Sequence, residues 1–453
     1  MSTLATAADF MHGRLNGADQ AFDGVSTDTR TLRQGELFIA LQGPNFDGCD
    51  YVGQARSKGA AGAVVSRLVD EAIAQIAVED SRRALGELGA AWRRQLSPVV
   101  VGVTGSNGKT TLKELTAACL ATAAPTLATQ GNLNNDIGVP LMLTRIEAQH
   151  RFAVIEMGAN HAGEIAYLTA LARPDIVVIT NAGDAHLEGF GSRDGVARAK
   201  GEILCGEARP RVAVLNADDH YFAYWSKLVE DTQLITFGID AEADVCARNI
   251  VAAAGGSCFE LHLPGGEIDV TLALSGRHNV RNACAAAAIA LAVGIDIADI
   301  RSGLESVTPV AGRLRRVAGI GGVTIYDDSY NANPGSVAAA IRFLASQSGQ
   351  RWFVLGDMAE LGPTEANLHR EIGTLAASSG IDRFYCVGPL ARHAADAFGP
   401  RARWAPDVFS LAEEIRPSLA SDVRLLVKGS RSAGLERLVR ALNDQAPAGG
   451  GAH

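Results

Sequence analysis

The stretch VVVGVTGSNGKTT, residues 99–111, decides the fold. An apolar, β-branched run enters a glycine-rich loop, and TLKELTAACLATA (111–123) follows as a helix. Backbone N–H groups converging at a helix N-terminus make an anion site. Lys109 is placed to reach the β and γ phosphates of a nucleotide, and the Thr110 hydroxyl to bind Mg²⁺. The spacing departs from GxxxxGK[ST], because Val103 stands where the first glycine belongs and the glycines are Gly105 and Gly108. Strand, loop, Lys-Thr and helix still fall in the order a phosphate loop requires. Such a loop serves motors, switches, kinases and ligases alike.

Outward from this loop, short apolar runs alternate with Ala/Leu-rich helical stretches, which is the rhythm of α/β architecture with largely parallel sheets. Candidate strands are 36–41, 62–66, 99–103, 153–156, 176–180, 212–215, 323–326, 352–355, 384–387 and 425–427. Cys246 to Leu274 alternates and is punctuated by glycine, as a β-meander would be. Ala283–Val293, the longest apolar run, is too short to span a bilayer, for which about 20 residues are needed, and reads as a buried helix. Composition breaks near Gln95–Pro98 and Pro309–Arg313 mark boundaries. At about 150 residues per domain, 453 residues suggest three domains. The tail from residue 446 is expected to be disordered.

The net charge of −9 argues against nucleic acid as a partner. Seven scattered cysteines without a CxxC favour reduced thiols, hence a cytoplasmic location, over a disulfide framework or a zinc site. The N-terminus shows no basic segment followed by an apolar one, so no signal peptide is expected, nor integral membrane contact.

In open parallel sheets, ligands bind beyond the carboxyl ends of the strands. Glu156 closes one apolar run and is a candidate Mg²⁺ carboxylate. His186, in ITNAGDAHLEGFGS, follows another, and Lys200 lies on a helix in GVARAKGEIL. Asn132, Asn134 and Asn135 share one loop and could satisfy a polar ligand without adding charge. His278, Asn279 and Asn282 open an apolar helix, where an amide can read an adenine edge or simply cap the helix. Arg313 sits at the second boundary, within reach of a neighbouring domain's phosphates. Asp328, Tyr330, Asn331 and Asn333, then GDMAELG (356–362), then Lys428 and Arg431 border later strand ends. The last two are candidates to hold substrate carboxylates. Each residue taken singly also has an ordinary structural explanation.

In order along nearly the whole chain, TGSNGKTT, GNLNNDIGVP, EMGANHAGEI, ITNAGDAHLEGFGS, ARAKGEI, LNADD and GRHNVRNACAA resemble the Mur ligases, ATP-dependent amino acid and peptide ligases. DDSYNANPGS, LGDMAELG and KGSR look like the member that joins D-alanyl-D-alanine to UDP-N-acetylmuramoyl-tripeptide. The DxxHTP and DNPR segments of the third-residue-adding enzyme are not found. Another ligase of the superfamily, such as a folylpolyglutamate synthase, is the nearest alternative, and a nucleotide-controlled switch a more distant one.

The resemblance implies an N-terminal UDP-substrate domain (1–97), a central ATP domain (98–312) and a Rossmann-like C-terminal domain (313–453). It implies that Thr104, Gly105, Ser106, Asn107, Gly108, Lys109, Thr110 and Thr111 hold ATP with Asn279, Asn282, Arg313 and Asp328. Thr110, Glu156, His186 and Lys200 would serve two Mg²⁺ ions, Lys200 as a carbamate formed with CO₂. Lys109, His186 and Lys200 would be catalytic. Substrate contacts would come from Ser26, Asp28 and Arg30 in VSTDTR, Asp47 in FDGCD, and Asn134, Asn135, Tyr330, Asn331, Asn333, Lys428 and Arg431. Thr29 stands where serine is common and Cys49 where histidine is usual. A monomer is expected.

Overall fold

The computed structural model describes residues 2–229, 231–253 and 255–443. The expected disorder from residue 446 lies outside them. Three main sheets follow one another along the chain. The first has five strands in the order Arg14–Asn16, Gln75–Ala77, Gly62–Val65, Glu36–Ile39 and Gly24–Ser26, parallel except at the Arg14–Asn16 edge. The helix Ser81–Gln95 leaves it, started by Asp80, whose carboxylate accepts from Arg82 and Arg83 N–H. That helix docks on the next unit: Trp92 Nε1 donates to Ile146 O at 2.8 Å, and Arg82 pairs with Asp136.

The central sheet has nine strands. Val99–Thr104 lies between Phe152–Glu156 and Ile176–Ile179, parallel to both. Thr126–Ala128 continues the sheet on one side. Val212–Asn216, Gln233–Gly238 and Val245–Ala253 continue it on the other, all parallel. Strand order therefore reverses at the phosphate-loop strand, and a crevice opens at its carboxyl end. The strands are apolar on both sides because both faces are covered. On one face Lys109–Ala121 and Arg277–Ala292 bury Leu112, Leu115 and the alanine run 285–288. On the other, Gly138–Thr144 and Glu164–Ala172 bury Met142 and Ile165.

The expected meander is real. Val245–Ala253, Gly256–Leu263 and Gly266–Leu272 pair antiparallel, with a register shift between Arg248 and Val251. Reading by apolar runs passes over Gln233–Gly238, because only Phe237 and Gly238 of that strand are buried.

The third sheet has six strands, ordered Arg315–Ala318, Thr324–Asp328, Val423–Lys428, Gln350–Gly356, Arg383–Val387 and Ala402–Ala405. Only the first pairing is antiparallel. Pro334–Ala345, Glu365–Ser378 and Ala391–Phe398 cover one face, Val408–Ile415 and Glu436–Leu442 the other. This is a doubly wound sheet whose strand ends face the central crevice.

Candidate active site

The loop TGSNGKT keeps its shape through contacts only glycine permits. Gly105 has φ +143° and lies so close to Thr180 that a Cβ would stand 1.8 Å from Oγ1. Gly108 has φ +85° as N-cap of Lys109–Ala121, and a Cβ there would meet Asn282 Oδ1 at 2.8 Å. The neighbouring strand end locks the loop. Thr180 Oγ1 donates to Asn107 O at 2.7 Å, Asn181 Nδ2 donates to the same oxygen at 3.0 Å, and Asn107 N donates to Asn181 Oδ1 at 3.1 Å. The sequence motifs do not single out Asn181; its place just after the apolar strand Ile176–Ile179 is the available signal. Thr104 is buried and donates to Met157 O at 2.9 Å. Thr111 follows Thr110 in the first turn of the helix Lys109–Ala121.

Lys109 curls over the loop, with Nζ 2.6 Å from Gly105 O. Burial pushes its pKa down, Glu156 opposes the shift and Arg313 adds to it. Glu156 ends its strand 2% exposed. Its Oε1 accepts from Asn134 Nδ2 at 2.8 Å, while Oε2 is buried with no hydrogen-bond partner. A buried carboxylate oxygen without a donor is costly unless a cation serves it. The free Oε2 of Glu156 therefore suits a hard cation, and Thr110 and His186 line the same cavity. Asn135 caps the following turn through Gly138 N.

Lys200 is 1% exposed on the helix Arg193–Gly201 and makes no ion pair among the described residues. Phe190 lies against it, 5.2 Å from Nζ to the ring centre. Burial, with Lys109 nearby, brings its pKa down to about 7, against the pull of Glu202 and Glu164. Desolvation of this kind favours the neutral amine.

The third sheet closes the crevice. Arg313 donates to Thr110 Oγ1 at 3.3 Å, and Asn333 Nδ2 to Asn107 Oδ1 at 2.8 Å. Asn333 also caps Pro334–Ala345 in a capping box with Ser336. Glu360, in the loop after Gln350–Gly356, sits against His186 Nδ1, and the ring beside it lowers its pKa. Both residues have positive φ (His186 +55°, Glu360 +62°), so this meeting holds two strained backbones. Glu360 lies within the strand-end cluster GDMAELG, a motif whose sequence points to no single one of its residues. Lys428 is 4% exposed and donates to Asp328 Oδ2 at 2.7 Å and Asn331 O at 2.9 Å. It ties two strand ends together. Tyr330 stacks under both Arg313 and Arg431, whose guanidinium carbons lie 4.0 and 5.3 Å from its ring centre.

Most of the expected residues thus border one cavity of about 980 Å³. Thr104, Gly105, Thr111, Lys200, Asn279, Asn282 and Asp328 do not line it. Asn279 donates to Ser275 O, and Asn282 meets Gly108. Ser26 and Asp28 line a separate cavity between the first sheet and the central unit, with Trp92, Gln130 and Arg145. Arg30, which pairs with Asp28 at 2.7 Å, and Asp47, which pairs with Arg67 at 3.0 Å, are themselves outside that lining.

A phosphate loop, a buried acid with a free oxygen, and a cationic wall brought by a third domain define an ATP-using ligase built from three α/β units. Family models agree: residues 21–93 match the Mur ligase family catalytic domain, 103–290 the Mur ligase middle domain and 312–431 the Mur ligase glutamate ligase domain. The chain belongs to the Mur ligase family. It is 44% identical over 446 residues to the UDP-N-acetylmuramoyl-tripeptide–D-alanyl-D-alanine ligase of Escherichia coli K12, covering 98% of each chain. The same-named Bacillus subtilis enzyme is 36% identical, covering 97% of this chain and 98% of the relative. A crystal structure of MurF from Acinetobacter baumannii superposes with TM-score 0.89 at 37% identity, over 96% of this chain and 97% of that one. MurF from Thermotoga maritima in complex with ADP gives 0.82 at 28% identity, over 92% and 96%.

Proposed function

We propose that this chain joins D-alanyl-D-alanine to UDP-N-acetylmuramoyl-tripeptide, converting ATP to ADP and phosphate. A tripeptide carboxylate oxygen attacks the γ-phosphorus and ADP leaves, giving an acyl phosphate. The dipeptide amine attacks the acyl carbon, phosphate leaves, and the nitrogen sheds a proton to form the peptide bond. Two anions must meet for the first step, which costs several kcal/mol in a site of reduced dielectric unless cations face them. Lys109 and Arg313 supply that charge from two domains. Thr110, Glu156 and His186 would hold Mg²⁺, which neutralises developing phosphate charge when bound. Lys200 would take up CO₂ as a carbamate, losing a proton and becoming an anion for a second ion.

The cavity holding Ser26 and Asp28 would take the UDP end. Asn279 and Asn282, beside Gly108, would border the adenine. The observation that carries the reading is the unpartnered Glu156 Oε2 beside the phosphate loop, under a wall made by Arg313, Asn333 and Glu360. One chain supplies all of these groups, which supports a working monomer. Among the described residues no helix is long and apolar enough to cross a membrane. The seven free cysteines support work in the reducing cytoplasm.

The test is phosphate release from ATP with Mg²⁺ and UDP-MurNAc-tripeptide, with and without D-alanyl-D-alanine. Release that requires the dipeptide, with the pentapeptide product seen by mass spectrometry, is expected. Release indifferent to the dipeptide refutes the assignment of the amine.

A further inference from the structure

The cleft carries six basic side chains, and five are already engaged. Lys109 holds Gly105 O, and Lys113 holds Thr129 O and Glu114. Arg313 holds Thr110, Lys428 holds Asp328, and His186 faces Glu360. Arg431 is exposed in the cleft and has neither ion pair nor side-chain hydrogen bond among the described residues. Its one printed side-chain contact is the Tyr330 ring. Asp328 and Glu360 are matched by Lys428 and His186, and among the described residues no carboxylate pairs with Arg431. A guanidinium held by an aromatic ring with its donor fork free is a ready carboxylate receptor.

Resting on the ligase reading above, we infer that Arg431, held against the Tyr330 ring, binds the terminal carboxylate of the incoming dipeptide. The attacking amine must reach an acyl phosphate formed where Lys109, Thr110 and Arg313 meet. Arg313 and Arg431 share the Tyr330 ring, at 4.0 and 5.3 Å from its centre, so the reacting end and the free fork are one ring apart. An extended dipeptide, about 7 Å between its ends, is of a length to reach from one to the other. Ser430 and Ser432, whose hydroxyls lie 3.1 Å apart beside Arg431, add polar groups at the carboxylate end.

The test compares D-alanyl-D-alanine with its C-terminal amide as the amine, at saturating ATP and UDP-MurNAc-tripeptide. Wild type should show a KM about 10- to 100-fold higher for the amide, with kcat changed less. R431Q should raise the KM for the dipeptide by a similar factor and erase the difference between acid and amide. Should R431Q melt early, R431M, which keeps its stem against Tyr330, carries the same comparison. A variant that keeps the full preference for the acid, or a wild type that does not distinguish acid from amide, overturns the assignment. A wild type that joins no dipeptide at all refutes the ligase reading itself, and this inference with it.

Discussion

Replacing Gly105 with alanine tests whether the phosphate loop is shaped by the strand end beside it. The new Cβ would stand 1.8 Å from Thr180 Oγ1 and 3.0 Å from Thr180 Cβ, and the backbone is at φ +143°, where L-residues rarely go. Overpacking costs about 1–3 kcal/mol and the backbone strain about 1–3 kcal/mol. If Thr180 swings away, its hydrogen bond to Asn107 O at 2.7 Å is lost, for about 0.5–1.5 kcal/mol more. The loop relieves this by leaving the conformation that presents its N–H groups, so the cost appears in nucleotide affinity. At about 1.4 kcal/mol per tenfold, Gly105→Ala should weaken ATP binding at least about thirtyfold by titration calorimetry. Thr180→Ala alone, which only loses the hydrogen bond, should cost about two- to tenfold. The double variant should bind more tightly than the product of the two effects predicts, since removing Oγ1 clears the nearest clash. Gly105→Ala binding ATP within threefold of wild type would refute this account.

Other consequences are open to measurement. Glu156→Gln leaves Asn134 a partner but removes the charge, and should raise the Mg²⁺ needed for half-maximal turnover at least about tenfold; an unchanged Mg²⁺ titration counts against Glu156 as a ligand. Lys200 sheds its proton near 7 when folded but near 10.5 when unfolded, so between those values the unfolded chain holds more protons and stability rises with pH. In CO₂-free buffer, Lys200→Met should lack that rise of up to about 1.4 kcal/mol per pH unit, seen as wild-type and variant melting curves converging toward high pH. Parallel curves would contradict it, while added bicarbonate should restore activity to CO₂-depleted wild type. Asn333→Ala removes a helix cap worth about 1 kcal/mol and the bond to Asn107, so it should lower the melting temperature and raise the KM for ATP together.

Much of this molecule is legible in one dimension. The β-branched run into TGSNGKT and the helix after it declare a phosphate loop, because strand, glycine turn and helix are local and each has its own residue chemistry. The parallel sheets follow from apolar runs alternating with helical stretches, and the meander from its glycines. Polar residues just past each run, Glu156, His186, Asp328 and Lys428 among them, could be chosen because parallel strands point their carboxyl ends the same way.

Pairing lay beyond that reading. Asn181 and Glu360 earn their places from partners 74 and 174 positions away, Asn107 and His186, and no local pattern carries such information. Nor could sequence separate Lys428 from Arg431, two cations in one KGSR motif. Folding buries the first against Asp328 and leaves the second free over Tyr330, since only packing in three dimensions decides which charge meets a countercharge and which faces the cleft.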